Sequence, residues 1–168
     1  HMQKADWDSA WLALKLADKL LLKAGCIPAV VAKHYSITGL FYSRINKLDS
    51  AVWAFLKAVK AEKKSDNKYA LARAYGDVAA TVSKTGDVAK SIEYDKKAIA
   101  IARTMVDKTG VQLLAAKLVN LASSYQTLYK NTGNTNYLDS CGITAKEALA
   151  VAKKGEEIKA VLESYNIL

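Results

Sequence analysis

Apolar and small residues return every three or four positions along almost the whole chain, the period of an α-helix with one buried face. In Asp6 to Lys23 the inward positions are Ala10, Leu14 and Ala17. Gly25 suits a helix stop, and Pro28 suits the first turn of the next helix, where its missing N–H does no harm. That helix is expected to run to about Ile45, with Tyr35, Gly39 and Tyr42 on one face. A turn at Asn46-Lys47-Leu48-Asp49 leads to a second helix carrying Ala51, Phe55 and Ala58, with Asp49 or Ser50 as its cap. Gly39 costs a helix roughly 1 kcal/mol relative to Ala. Its expected use is close approach, with Ala51 similarly small and aromatic rings filling the space left over.

The same helix–turn–helix pattern returns twice. Ala72 to Ser83 presents Tyr75, Val78, Ala79 and Val82, and Thr85-Gly86-Asp87 reads as a turn. From Val88 the face is Ser91, Asp95 and Ala98, two of them polar, with Tyr94 placed to supply a ring; Thr109-Gly110 is expected to end that helix. Next, Leu118, Leu121, Ala122 and Tyr125 share a face, and the turn comes late, at Asn131-Thr132-Gly133-Asn134, so this helix is expected to be a turn longer. A partner helix from about Asn136 carries Cys141, Ala145 and Ala148, with Gly142 placed for a bend or a close contact. Ile158, Val161, Leu162 and Tyr165 share a face of a last short helix.

The order aromatic, Gly, Tyr, then Ala, aromatic, Ala, as in Tyr35, Gly39, Tyr42, Ala51, Phe55 and Ala58, resembles the tetratricopeptide repeat. Thr38 stands where that family usually has Leu. Ala17, Ala58 and Ala98 recur at about 40 residues, longer than the roughly 34 of the standard repeat. The resemblance implies an all-α fold, a right-handed superhelical stack of antiparallel hairpins forming one domain over 3–168. Its parts are a half repeat at 6–24, repeats at 28–64, 67–108 and 111–154, and a capping helix at 156–166. His1-Met2 reads as an expression scar.

In that family the first helix of each repeat lines a concave groove. Carrying those positions over implies Lys33, Ser36, Leu40, Ser43 and Arg44, then Arg73, Asp77, Ala80, Ser83 and Lys84, then Ala116, Asn120, Ser123, Gln126 and Thr127. Lys33, Arg44, Arg73 and Lys84 would offer donors to an acidic peptide or a C-terminal carboxylate. Leu40 replaces the Asn of the family's chaperone-tail clamp, which argues against that ligand.

Composition changes the picture little. With 168 residues, 51% hydrophobic and 24% charged, and one Pro, the chain has the make-up of a helical globular protein. No apolar run approaches the roughly 20 residues of a membrane span. The net charge of +9 allows an acidic or nucleic-acid partner, but the lysines are scattered rather than gathered into a stripe with stacking aromatics. Cys26 and Cys141 lack ligand spacing and are expected to be buried small residues.

No catalytic constellation is visible. His34, the sole His outside the scar, lacks a partner motif and is expected at the surface or a groove edge. The expectation is a non-enzyme without cofactor or metal, a module binding a protein or peptide segment in its groove. The alternative is a sensor or regulatory fragment of a larger bacterial signalling protein, self-associating as a homodimer through its N-terminal end, where Trp7 and Trp11 lie; Trp53 is a further candidate contact. Basic helical nucleic-acid binding ranks last. Cytoplasm is favoured over other compartments, which the sequence leaves open.

Overall fold

A computed structural model of the chain describes residues 4–23, 27–154 and 167. Among the described residues there are seven helices and no strand: α1 (Lys4–Lys23), α2 (Pro28–Arg44), α3 (Leu48–Glu62), α4 (Lys68–Lys84), α5 (Val88–Ala102), α6 (Lys108–Thr132) and α7 (Thr135–Lys154). The expected capping helix at 156–166, Gly25 and Cys26 lie outside the described residues. No described helix is long and apolar enough to cross a membrane. The chain divides into two compact units, His1–Asp66 and Asn67–Leu168.

In the first unit, α2 and α3 form a hairpin around a tight turn in which Asn46 takes φ 58° and the Lys47 N–H donates to the Tyr42 carbonyl. Ala32, Thr38 and Gly39 of α2 and Ala51, Ala54, Phe55 and Ala58 of α3 are buried. Gly39 acts as its position suggests: a Cβ there would stand 2.6 Å from the Phe55 ring, which is only 2% exposed. Neither Asp49 nor Ser50 caps α3. The helix begins at Leu48 behind Lys47, with no side-chain cap, because the turn is one residue tighter than expected.

The first helix meets α2 through rings. Trp11 stacks on Phe41 at 5.8 Å, and Trp7 meets the same ring edge-on at 5.7 Å. His34, expected at the surface, is instead buried, and its Nε2–H donates to Asp18 of α1 over 2.8 Å. The register of α1 against α2 turns it inward, and the carboxylate supplies the partner a buried imidazole needs.

In the second unit α4 pairs with α5 and α6 with α7, while α6 also packs on α5 and touches α4. Asn67, Asp87 and Asp107 cap α4, α5 and α6 by accepting from the N–H groups of Ala70, Lys90 and Gly110. Thr109-Gly110 therefore does not end α5. It lies in the first turn of α6, drawn there by the Asp107 cap. The long α6 ends at Gly133 in the left-handed conformation, φ 67°. Ile92 and Ile99 of α5, Leu118, Val119 and Leu121 of α6, and Ala148 and Ala152 of α7 make the main core. Tyr94 stacks on Tyr75 at 6.4 Å, supplying the ring that Asp95 does not. Gly142 lies inside α7 with open space around its Cβ position, so it makes no close contact.

Replacing Gly39 by Ala forces its methyl into the Phe55 ring. The expected loss is about 1–3 kcal/mol in chemical denaturation, the usual cost of overpacking, whereas Gly142→Ala is expected to be neutral or slightly stabilising through helix propensity.

Candidate functional site: a polar cleft among α4, α5 and α6

The inward face of α5 breaks the rule that builds the rest of the core. Ser91 and Asp95 lie one turn apart on the face that also buries Ala98, and they are only 1% and 2% exposed. Neither fills the volume an aromatic side chain would at this station. The space becomes an open cleft of about 210 Å³ lined by Ala80 and Ser83 of α4, Ser91 and Asp95 of α5, and Asn120, Ser123, Ser124 and Thr127 of α6.

The chemistry of this cleft is dominated by the Asp95 carboxyl. Its Oδ1 is enclosed and has no hydrogen-bond partner among the described residues. Burial pushes its pKa well above the usual carboxylate range, to about 7, against the opposing pull of the Lys117 ammonium on α6. Lys117 reaches across α4 at Gly76, where a Cβ would collide with its ammonium end. Asp77, one turn from Arg73 on α4, also has its pKa raised by burial, with Lys117 and then Arg73 acting the other way. The cleft lining is polar, with Asp95 its one ionisable group. The Thr127 hydroxyl donates to the Ser123 carbonyl.

The positions carried over from the repeat family distribute as follows. Asn120 and Ser123 line the cleft together with Ala80, Ser83 and Thr127. Arg73 and Lys84 are exposed on α4, and half-buried Asp77 shares the field of Lys117 with Arg73. Gln126 is half-buried on α6, and Cys141 of α7 is a buried free cysteine whose pKa is raised by desolvation, with the Gln126 backbone acting the other way. In the first unit Lys33, Leu40 and Arg44 are exposed and Ser36 and Ser43 half-buried, all on α2. Ser91, Asp95, Ser124 and Lys117 were not among the expected site residues. The available signal was the pair of polar residues at Ser91 and Asp95 where helical periodicity calls for core.

Other features add little chemistry. Among the described residues no group of three His, Cys, Asp or Glu side chains could hold a metal ion. Trp53 is half exposed, meeting Tyr35 edge-on with the Lys57 ammonium over its ring. The pKa of the Tyr35 hydroxyl is raised by desolvation and then by Asp18.

No family model matches the chain, and no curated protein matches it in sequence. Among solved structures, the crystal structure of BtubC (BKLC) from P. vanneervenii is similar in fold, with a TM-score of 0.70 at 19% identity. The match covers 89% of this chain and 59% of that one, so this chain spans little more than half of its structural neighbour. At that identity the likeness concerns the helical fold alone.

Because the folded-state pKa of Asp95 lies above its unfolded value, the native state holds the extra proton between about pH 4 and pH 7. Stability therefore falls as pH rises through that window and levels off above it. Asp95→Asn is expected to raise stability at pH 8 by on the order of 2–4 kcal/mol, and to change it little at pH 4. Urea melts at the two pH values check this, with Lys117, Asp77 and Arg73 intact as the facing charges.

Proposed function

We propose that the protein is a non-catalytic interaction module of tetratricopeptide-like architecture. In this reading its antiparallel hairpins follow the right-handed superhelical repeat pattern, and within the second unit the first helices α4 and α6 line the surface that receives a segment of another protein. The observation that carries the reading is the convergence of groove positions from two first helices. Ala80 and Ser83 of α4 share a cleft with Asn120, Ser123 and Thr127 of α6, all five of them groove positions of the family pattern. Arg73 and Lys84 are exposed on α4 and offer donors to acidic groups of a bound segment.

A second reading, self-association as part of a larger signalling protein, is favoured by α1. Leu12, Leu16 and Leu20 recur every fourth residue and are 69%, 58% and 59% exposed. Such a stripe of large apolar side chains is costly to leave in water. It lies toward the end of the chain where a homodimer contact was expected.

Two measurements test these readings. Peptides selected on the full chain from a displayed random library are expected to lose about 1–3 kcal/mol of affinity for each of Arg73→Glu and Lys84→Glu in calorimetry; unchanged affinities would remove this face from the account. For α1, light scattering is expected to give a dimer mass that Leu16→Glu returns to monomer. A monomer at every soluble concentration would end the second reading.

A further inference from the structure

The cleft of the second unit holds a buried acceptor that, among the described residues, no donor of the chain meets. Its floor is the Asp95 carboxyl, 98% enclosed, with Oδ1 unpartnered. An unpaired buried acceptor of this kind costs stability, and a buried carboxyl costs more than a neutral group. Leu or Phe at this position would fill the space and carry no such cost. Among the described residues no hydrogen-bond donor meets Asp95 Oδ1. Lys117 acts on the carboxyl as an opposing charge.

The walls match the floor. Ser91, Ser123 and Ser124 bring hydroxyl oxygens, and Asn120 brings an amide oxygen, around a space of about 210 Å³. That is below the roughly 300–1,000 Å³ of pockets for drug-sized ligands. It is suited to one side-chain head rather than to a folded surface. An ammonium has three donors and a guanidinium five, with no acceptor. Either would satisfy the carboxyl and several wall oxygens at once.

We propose that this cleft takes the head group of a basic side chain, lysine or arginine, from the segment bound by the module, with Asp95 as its counter-charge. The proposal rests on the module reading and names the chemistry its ligand carries at this station. A segment of mixed charge fits the surface: acidic groups against Arg73 and Lys84, and one basic side chain in the cleft. The net charge of +9 opposes a cation at long range. That opposition is screened beyond about 8 Å at physiological salt, whereas the contact with a buried carboxyl is not.

The experiment titrates the full-length, isotope-labelled chain at pH 8, where the Asp95 carboxyl is ionised, with N-acetyl-lysine N-methylamide, N-acetyl-arginine N-methylamide and, as an uncharged control, N-acetyl-norleucine N-methylamide. Amide shifts centred on Ser83, Ser91, Asp95, Asn120 and Ser124 are expected with the two cations and not with norleucine. Asp95→Asn is expected to weaken the cations at least tenfold while keeping the native helical spectrum, and Ser124→Ala, which leaves the carboxyl in place, is expected to weaken them less. Equal shifts from norleucine, tighter binding of N-acetyl-glutamate N-methylamide, or undiminished cation binding in Asp95→Asn would overturn the proposal. Library peptides that still bind Asp95→Asn at full affinity would leave the module reading standing while removing this one. Cation binding at the cleft with no peptide captured would do the reverse.

Discussion

Two helices pack closely only where one of them offers almost nothing at the contact. Gly39 is the sharpest instance, since the Phe55 ring lies where its side chain would be. The same constraint sets the rest of the hairpins, in which Ala51, Ala54 and Ala58 of α3 and Ala145, Ala148 and Ala152 of α7 are buried to 0% exposure. Small residues bring the backbones together, and the rings and branched side chains beside them fill what remains, giving interior density without strain. Dispersion and burial then hold each pair, because the gain falls steeply once a gap opens.

The cleft follows from that rule by exception. On α5 the periodic inward face continues through Ser91 and Asp95, so the helix keeps its register, but the volume it presents is too small and too polar to close the space against α4 and α6. Tyr94, one residue aside, takes over the ring contact with Tyr75. The fold therefore tolerates the exception, and the cost appears as a carboxyl with a raised pKa and an unpartnered oxygen. A stability deficit retained at one surface-opening station is the pattern expected where binding rather than packing sets the residue.

Electrostatics divides in the same way. The chain as a whole is basic, and its lysines are spread over exposed helix faces. Around the cleft the charges alternate: Lys117 acts on both Asp95 and Asp77, and Arg73 acts on Asp77. A uniform positive field would select an acidic partner. An alternating one selects a partner by the order of its charges, which is a stricter requirement.

The helices and most of their ends were legible in the sequence by itself, because the 3.6-residue period and the Gly, Pro and Asx punctuation act over a few residues. Asn67, Asp87 and Gly133 terminate helices where such residues are expected to. The late turn that makes α6 25 residues long was legible for the same reason. What the tertiary structure alone decided were the contacts between residues far apart in the chain. His34 was assigned to the surface because nothing local reveals that Asp18, sixteen residues away, meets it across two helices. Periodicity places Asp95 on the inward face of α5, and its isolation depends on what α4 and α6 leave beside it. Local periodicity tells which face of a helix turns inward; only the assembled neighbours determine whether that face finds a partner.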